Sequence, residues 1–303
     1  MQTRLLLLVS LLYSSLLISE QRTIIHEGVE REYIVHIPES LNEDSPILFV
    51  IHGFTGSAEQ IMEYSGMNAI ADREGFMVVY PQGTTDSGGN TFFNVGYEFH
   101  KDSTIDDVSF IRSLFKLLTE EYSLNRKQGF ATGMSNGGDM SYLLACTSAD
   151  LFKAVAPVAG SLMSKTKDTC NPQSPVPIFE IHGTGDQITL FNGDMENAGG
   201  WGAYYDLPST ISFFAETYSL DQKSVRMISK KSEGSEYDIY FERYWSQRSN
   251  EEVWMYKIVE GRHVWPGFTI NWWENPIFWY YFGSGNDDIN ASEEVWRFFK
   301  RYL

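Results

Sequence analysis

Cysteine is scarce, basic side chains are outnumbered, and long apolar runs are confined to one end of this 303-residue chain. Cys146 and Cys170 are the only cysteines, so one disulfide is the most the sequence can build. Lys and Arg total 23 against 40 Asp and Glu, a formal charge of −17. A surface so acidic repels phosphate backbones and anionic lipid, which argues against nucleic-acid and membrane-surface partners. Beyond Leu5–Ile18 no stretch is apolar enough to span a bilayer, and that run falls short of the roughly 20 residues a spanning helix needs. There is no internal repeat, low-complexity tract or Pro/Gly/Ser-rich linker. These absences together predict a single domain over residues 20–303, large enough to bury a full core without metals or many disulfides.

What is present at the start has an order of its own. Met1–Arg4 is short and positively charged, Leu5–Ile18 is apolar, and the small Ser19 precedes the polar Glu20-Gln21-Arg22. This is the layout of a secretory signal peptide over residues 1–19, so the mature protein is expected outside the cell. Loss of Arg4 with that segment leaves 22 − 40 = −18. In an oxidising compartment Cys146 and Cys170 are expected to pair, and the short loop they close implies about 3 kcal/mol on the chain-entropy model. Asn290-Ala291-Ser292 is a glycosylation sequon if the host glycosylates.

Short apolar runs alternate with longer helical patterns, which predicts an α/β protein with a mostly parallel sheet and helices on both faces. Tyr33–Ile37 reads as an opening edge strand. Ile47–Ile51, Phe76–Tyr80, Lys153–Val158, Ile178–Ile181 and Val253–Val259 read as strands, several with the unbroken apolar character of strands buried on both faces. Helices are predicted over Ser57–Glu74, Asp106–Tyr122, Gly137–Thr147 and Ser292–Tyr302. Asp106 and Asp107 stand where carboxylates favour the positive end of the helix dipole.

The strand predicted over Gln128–Thr132 runs into Gly133-Met134-Ser135-Asn136-Gly137, a G-x-S-x-G turn followed by a predicted helix. Small neighbours permit the sharp, strained turn that lifts a serine hydroxyl above a sheet. A serine hydroxyl is a weak nucleophile without a base, and in this arrangement the acid and then the histidine follow in the chain. Of the six histidines, only His182 and His263 follow Ser135. His182 leaves little chain for an acid before it, whereas His263 sits in a turn-rich loop after the last predicted strand and is the expected base. Asp186, just after the Ile178–Ile181 strand, is the expected acid, with Asp194 and Asp206 read as solvated loop residues. His52-Gly53-Phe54-Thr55-Gly56 follows the first buried strand, and the backbone N–H groups of Phe54 and Asn136 are the expected oxyanion donors, with Thr55 the rival to Phe54. His52 is expected to support that loop by hydrogen bonding. Trp265 and Trp201 are candidate substrate-binding residues, Tyr204 and Tyr205 could extend a second wall, and the aromatic run Asn271–Tyr281 could be a stacking platform or cover core.

Taken together, these residues resemble the secreted poly(3-hydroxybutyrate) depolymerase and feruloyl/acetylxylan esterase family of the α/β-hydrolases. The resemblance runs from about Tyr33 to Phe299 and is carried by Gly133–Gly138, Ala156-Pro157-Val158-Ala159-Gly160, Ile181-His182-Gly183-Thr184 and His263-Val264-Trp265-Pro266-Gly267. It implies the α/β-hydrolase fold and ester hydrolysis by a Ser135–His263–Asp186 triad, with no metal or organic cofactor. The implied substrate is a feruloyl or acetyl ester of plant polysaccharide, or a hydroxyalkanoate polyester. Family members also tend to pair cysteines at positions matching Cys146 and Cys170. The chain departs from the pattern in lacking a further cysteine pair between acid and histidine, in Arg262 where glycine often precedes the histidine, and in the 271–281 run; all three touch substrate choice rather than chemistry. A serine peptidase would need a pocket for an amine terminus or P1 side chain that the sequence does not display. A catalytically silent binding protein would not need all three triad residues in order.

Overall fold

The computed structural model describes residues 19–170, 174–268 and 287–303. Strand β1 (Ser19–His26) turns at Glu27-Gly28 into β2 (Val29–His36). Both turn residues have positive φ, 50° and 80°, as a two-residue hairpin with the native strand twist requires. The sheet therefore opens one strand earlier than the Tyr33–Ile37 reading. β1 escaped notice because its residues alternate between half-buried and exposed and include Glu20, Gln21 and Arg22.

Then come β3 (Ile47–Ile51), β4 (Met77–Pro81), the short ribbon β5 (Thr84–Thr85) with β6 (Thr91–Phe92), β7 (Gly129–Met134), β8 (Phe152–Val158) and β9 (Ile178–Gly183). β10 (Gln222–Ser229), β11 (Ile239–Trp245) and β12 (Glu252–Ile258) complete the strands among the described residues. Ten of them form one sheet in the order β1-β2-β4-β3-β7-β8-β9-β12-β11-β10. Its middle, from β4 to β12, is parallel, and an antiparallel pair extends each side. The 253–259 run is thus an interior strand. The two beyond it were not expected from sequence, because β10 is largely exposed and carries Lys223 and Arg226, charges that also discourage pairing at an open edge.

Helices α1 (Ala58–Ser65) and α2 (Met67–Glu74) replace one predicted helix; Gly66, with φ 59°, ends the first and begins the second. α3 (Asp107–Glu121) is capped by Asp106, whose carboxylate accepts from Ser109 N–H. α4 (Asn136–Thr147) follows β7 directly, and α5 (Ser164–Thr169), α6 (Leu207–Thr217) and α7 (Ala291–Phe299) come later. Alternate residues of β3 divide the core. Ile47, Phe49 and Ile51 pack with Phe110 and Leu114 of α3 and Leu144 of α4, while Leu48 and Val50 pack with Ile61, Ile70 and the Val295–Phe299 face of α7. Both faces of the sheet are covered, which is why its central strands read as unbroken apolar runs.

Two ties brace this frame. Arg31 on β2 reaches Asp107 at 2.7 Å with its guanidinium 3.9 Å from the Phe110 ring centre, a buried pair joining edge sheet to helix. Cys146, at the end of α4, is bonded to Cys170 after α5, closing a separation of 24 residues. The expected pairing is present. No helix among the described residues is long and apolar enough to cross a membrane.

Candidate active site

The chemistry gathers where β7, β9 and β12 end. Ser135 links β7 to α4 with φ 57° and ψ −119°, a backbone region that costs a non-glycine residue about 1–3 kcal/mol. The turn closes only because its flanks lack side chains. A Cβ on Gly137 would lie 2.0 Å from Ile51 O, and one on Gly133 would lie 2.5 Å from Gly137 O. Ser135 N–H donates to Val158 O at 2.9 Å and Ser135 O accepts from Asp139 N–H at 2.9 Å, so strand and helix both hold the strained residue.

Asp186 follows β9 and His263 follows β12, two parallel neighbours in the sheet. The Nδ1 of His263 meets Asp186 Oδ2 at 2.7 Å, and both residues are buried. The other oxygen, Oδ1, accepts from the N–H groups of Ile188 at 2.8 Å and Thr189 at 2.9 Å. Burial alone would raise this carboxyl, but His263 and His182 hold it far below the usual carboxylate range. The order serine, acid, histidine is spread over three strand ends at one edge.

The loop 52–56 lies against Ser135: a Cβ on Gly53 would be 3.3 Å from Ser135 Cβ. His52 pins the loop as expected. Its Nε2 accepts from Gly83 N–H at 2.9 Å, which leaves Nδ1 to donate to Gly53 O at 2.7 Å. Burial lowers its pKa to about 4, so it stays neutral. Between the rival oxyanion donors, Thr55 N–H is committed to Thr91 O at 2.8 Å. Asn136 is held by its side chain, which accepts from Phe93 N–H at 2.7 Å and donates to Phe93 O at 3.0 Å. Its backbone N–H lies in the first turn of α4, where helix N–H groups lack intrahelical partners.

A narrow recess of about 280 Å³, counted with its open mouth, leads from Ser135 between Tyr97, Asp139, Ser161, Trp201 and Tyr204. Trp201 packs edge-on against Phe54 at 5.4 Å and Tyr97 at 5.2 Å, so it forms a wall of that recess. Trp265 does not. It is 2 % exposed, and its indole N–H donates to Ser292 Oγ at 3.0 Å, tying the histidine loop to α7. The substrate-contact reading for Trp265 is therefore replaced by a packing role. Asp194 likewise departs from its solvated-loop reading: it is buried and accepts from the N–H groups of Ala198 at 2.8 Å and Gly199 at 2.7 Å. Asp206 caps α6 through Ser209 N–H at 2.7 Å. The aromatic run 271–281 lies outside the described residues.

Sequence reasoning passed over a layer of buried polar groups beneath the recess. Asp139 accepts from Tyr97 OH at 2.6 Å and from Ser161 N–H at 2.6 Å. Burial pushes its carboxyl up to about 6 against those bonds. Glu180, fully buried on β9, accepts from Tyr142 OH at 2.8 Å and faces His182 Nδ1 at 2.9 Å. The spacing of Glu180 and His182, two residues apart on a strand, already placed them on one face. Among the described residues no cluster of three or more His, Cys, Asp or Glu is disposed to hold a metal.

Known proteins similar to this chain are named as esterases. The chain is 32% identical over 175 residues to the putative esterase NocK of Nocardia uniformis subsp. tsuyamanensis, covering 57% of this chain and 50% of that protein. It is 32% identical over 169 residues to feruloyl esterase B of Piromyces equi, covering 54% of this chain and 31% of that one. The chain thus spans half or less of the length of these two relatives. Among solved structures, an acetyl xylan esterase from Aspergillus awamori superposes with TM-score 0.57 at 14% identity, over 86% of this chain and 99% of that one. A ferulic acid esterase from Anaeromyces mucronatus, solved with ferulic acid, superposes with TM-score 0.52 at 17% identity, over 91% and 92%. At those identities the likeness is one of fold, the α/β-hydrolase fold. The family model described as esterase PHB depolymerase matches residues 32–190, a span that includes Ser135 and Asp186 and stops short of His263. Because that match takes in more than half of the 303 residues, the chain belongs to the esterase PHB depolymerase family.

Proposed function

We propose that the protein is a serine esterase that cleaves carboxylic esters through an acyl-enzyme on Ser135. The observation that carries the reading is the buried 2.7 Å contact of His263 with Asp186, set at the same sheet edge as the strained Ser135 turn. His263 takes the Ser135 proton as Oγ attacks the ester carbonyl, and Asp186 stabilises the imidazolium that forms. The N–H groups of Phe54 and Asn136 receive the oxyanion, each such donor contributing about 2.7–4 kcal/mol to the transition state. Collapse expels the alcohol with the proton from His263. Water, deprotonated by the same histidine, then releases the acid and restores Ser135. No step calls for a metal or organic cofactor.

The substrates are feruloyl or acetyl esters of plant polysaccharide, or a hydroxyalkanoate polyester, with Trp201 forming one wall for the bound ester. Names of relatives that include feruloyl esterase and acetylxylan esterase support the first two. The residues before Ser19, which itself lies in β1 and pairs with His36, act as an export signal, a reading supported by the Cys146–Cys170 bond, since disulfides persist in oxidising compartments. The test is hydrolysis of methyl ferulate, acetylated xylan and hydroxybutyrate oligomers by wild type and Ser135→Ala. Wild type should turn over at least one, with kcat/KM falling as pH drops and His263 becomes protonated, and Ser135→Ala should be inactive yet folded. A wild type inert on all three and on chromogenic short-chain esters refutes the esterase, and an active Ser135→Ala refutes the nucleophile.

A further inference from the structure

His182 is fully buried one side of Asp186 while His263 occupies the other. Its Nε2 faces Thr189 O at 2.9 Å and Asp186 Oδ2 at 3.4 Å, and its Nδ1 faces Glu180 Oε1 at 2.9 Å. A backbone carbonyl can only accept, so Nε2 carries a proton. Glu180 already accepts from Tyr142 OH on one oxygen and, at 3.4 Å, from Gly160 N–H on the other, which disposes the carboxylate to accept from Nδ1 as well. Both ring nitrogens of His182 therefore point at acceptors.

We propose that His182 is a positioning residue for the acid–base pair: a buried imidazolium clamped between Glu180 and Asp186 that fixes the oxygen it shares with His263. Burial, which by itself would discharge His182, is outweighed by its bonds to Asp186 and Glu180, so its proton is held more tightly than that of an ordinary histidine.

The surrounding charges are accounted for on every side. Helix α4 contributes Tyr142 and Asp139, and the loop after β9 contributes Asp186, with Asp194 and Tyr204 beyond it. β12 contributes Lys257, the register partner of His182, whose ammonium is turned onto the Tyr240 ring at 5.2 Å, and the loop after it contributes His263. Glu180 is the partner that balances His182 on its own strand.

The kinetic arm rests on the esterase reading; a second arm does not. His182→Gln keeps a polar side chain and removes the charge. Its kcat should fall about tenfold with KM unchanged, as loss of positioning rather than of binding requires. In wild type labelled with ¹⁵N at the histidine rings, the ring in proximity to Phe191, 6.0 Å between centroids, should show two protonated nitrogens at pH 8. A kcat that does not fall, or a His182 ring with one proton at pH 8, overturns the proposal. If His182→Gln does not fold, the wild-type resonances alone decide. Wild type without activity on any ester would fail the esterase reading and leave the ring charge to be decided by resonance.

Discussion

Asp186→Asn offers the sharpest test of the acid–base pair, because the structure dictates how the new side chain must sit. Oδ1 of Asp186 accepts from two backbone N–H groups, those of Ile188 and Thr189. Only the carbonyl oxygen of an asparagine can take that place, so its NH2 falls where Oδ2 now meets His263 Nδ1 at 2.7 Å. Two N–H groups cannot face each other. His263 must then present an unprotonated Nδ1 to the amide and carry its proton on Nε2, the nitrogen that should accept from Ser135. The analogous change in a serine-protease triad lowers kcat by about 10⁴ through this wrong tautomer, which at 1.36 kcal/mol per decade is about 5 kcal/mol of barrier. The fold loses less: three of the four contacts at Asp186 can still be made, and the variant should remain folded with a destabilisation of about 1–3 kcal/mol. Turnover of a chromogenic acetyl ester at pH 8 and thermal unfolding read the two quantities separately. A folded Asp186→Asn retaining more than about a tenth of wild-type kcat would show that Asp186 does not set the tautomer of His263.

Asp139 has a folded pKa raised to about 6 by burial, so between about pH 4 and pH 6 the folded state binds more protons than the unfolded chain and stability falls as pH rises. Asp139→Asn does not titrate and should gain on wild type by up to about 3 kcal/mol from pH 4 to pH 7 in denaturant melts; a difference independent of pH refutes the buried-charge account. Ser135→Gly and Ser135→Ala should both be inactive, with the glycine variant about 1 kcal/mol the more stable, because relief of the strained backbone exceeds the extra chain entropy of glycine. Equal melting temperatures would deny the strain. Replacing Cys146 and Cys170 by serine should cost about 3 kcal/mol and leave kcat/KM unchanged below the melting range, since Cys146 stands 146 − 135 = 11 residues, about 16 Å, along α4 from the nucleophile. A large loss of kcat at full folding would place that bond in the chemistry.

The parts of this molecule that were legible in the sequence share a physical signature. β3, β7, β8 and β9 are covered on both faces, so each shows as an apolar or small-residue run, and the turn at Ser135 shows because only glycine tolerates the approach of Gly137 to Ile51. Asp186 and His263 were found from chain order and strand ends, and the structure brings their side chains together. β1 and β10 at the sheet edges, and β11 beside β10, were missed because strands with one or both faces partly in water carry no such run. Asp194 misled for another reason. A carboxylate in a Gly-rich loop looks solvated, yet here the loop folds around the anion and aims the N–H groups of Ala198 and Gly199 at it. Trp265 misled because an aromatic beside a catalytic histidine suits either a substrate wall or a brace, and only its partner Ser292, far along the chain, distinguishes them.

On the proposed mechanism the buried polar layer keeps Ser135 in place. Apolar packing is non-directional, whereas attack by Ser135 would need a fixed distance to a base on another strand end. Helix α4 is anchored at two successive turns by directional bonds. Asp139 receives N–H and O–H donors from Ser161 and Tyr97, and one turn on Tyr142 donates to Glu180 on β9. Glu180 in turn holds His182, which touches Asp186. One continuous chain of polar contacts thus runs from the helix that follows Ser135 to Asp186, the partner of His263. Such a network costs desolvation and is a weak source of stability, so its worth lies in registering α4 against β9. Gly138 permits this, since a Cβ there would lie 2.8 Å from Gly160 Cα and hold the helix away from the loop that carries Ser161.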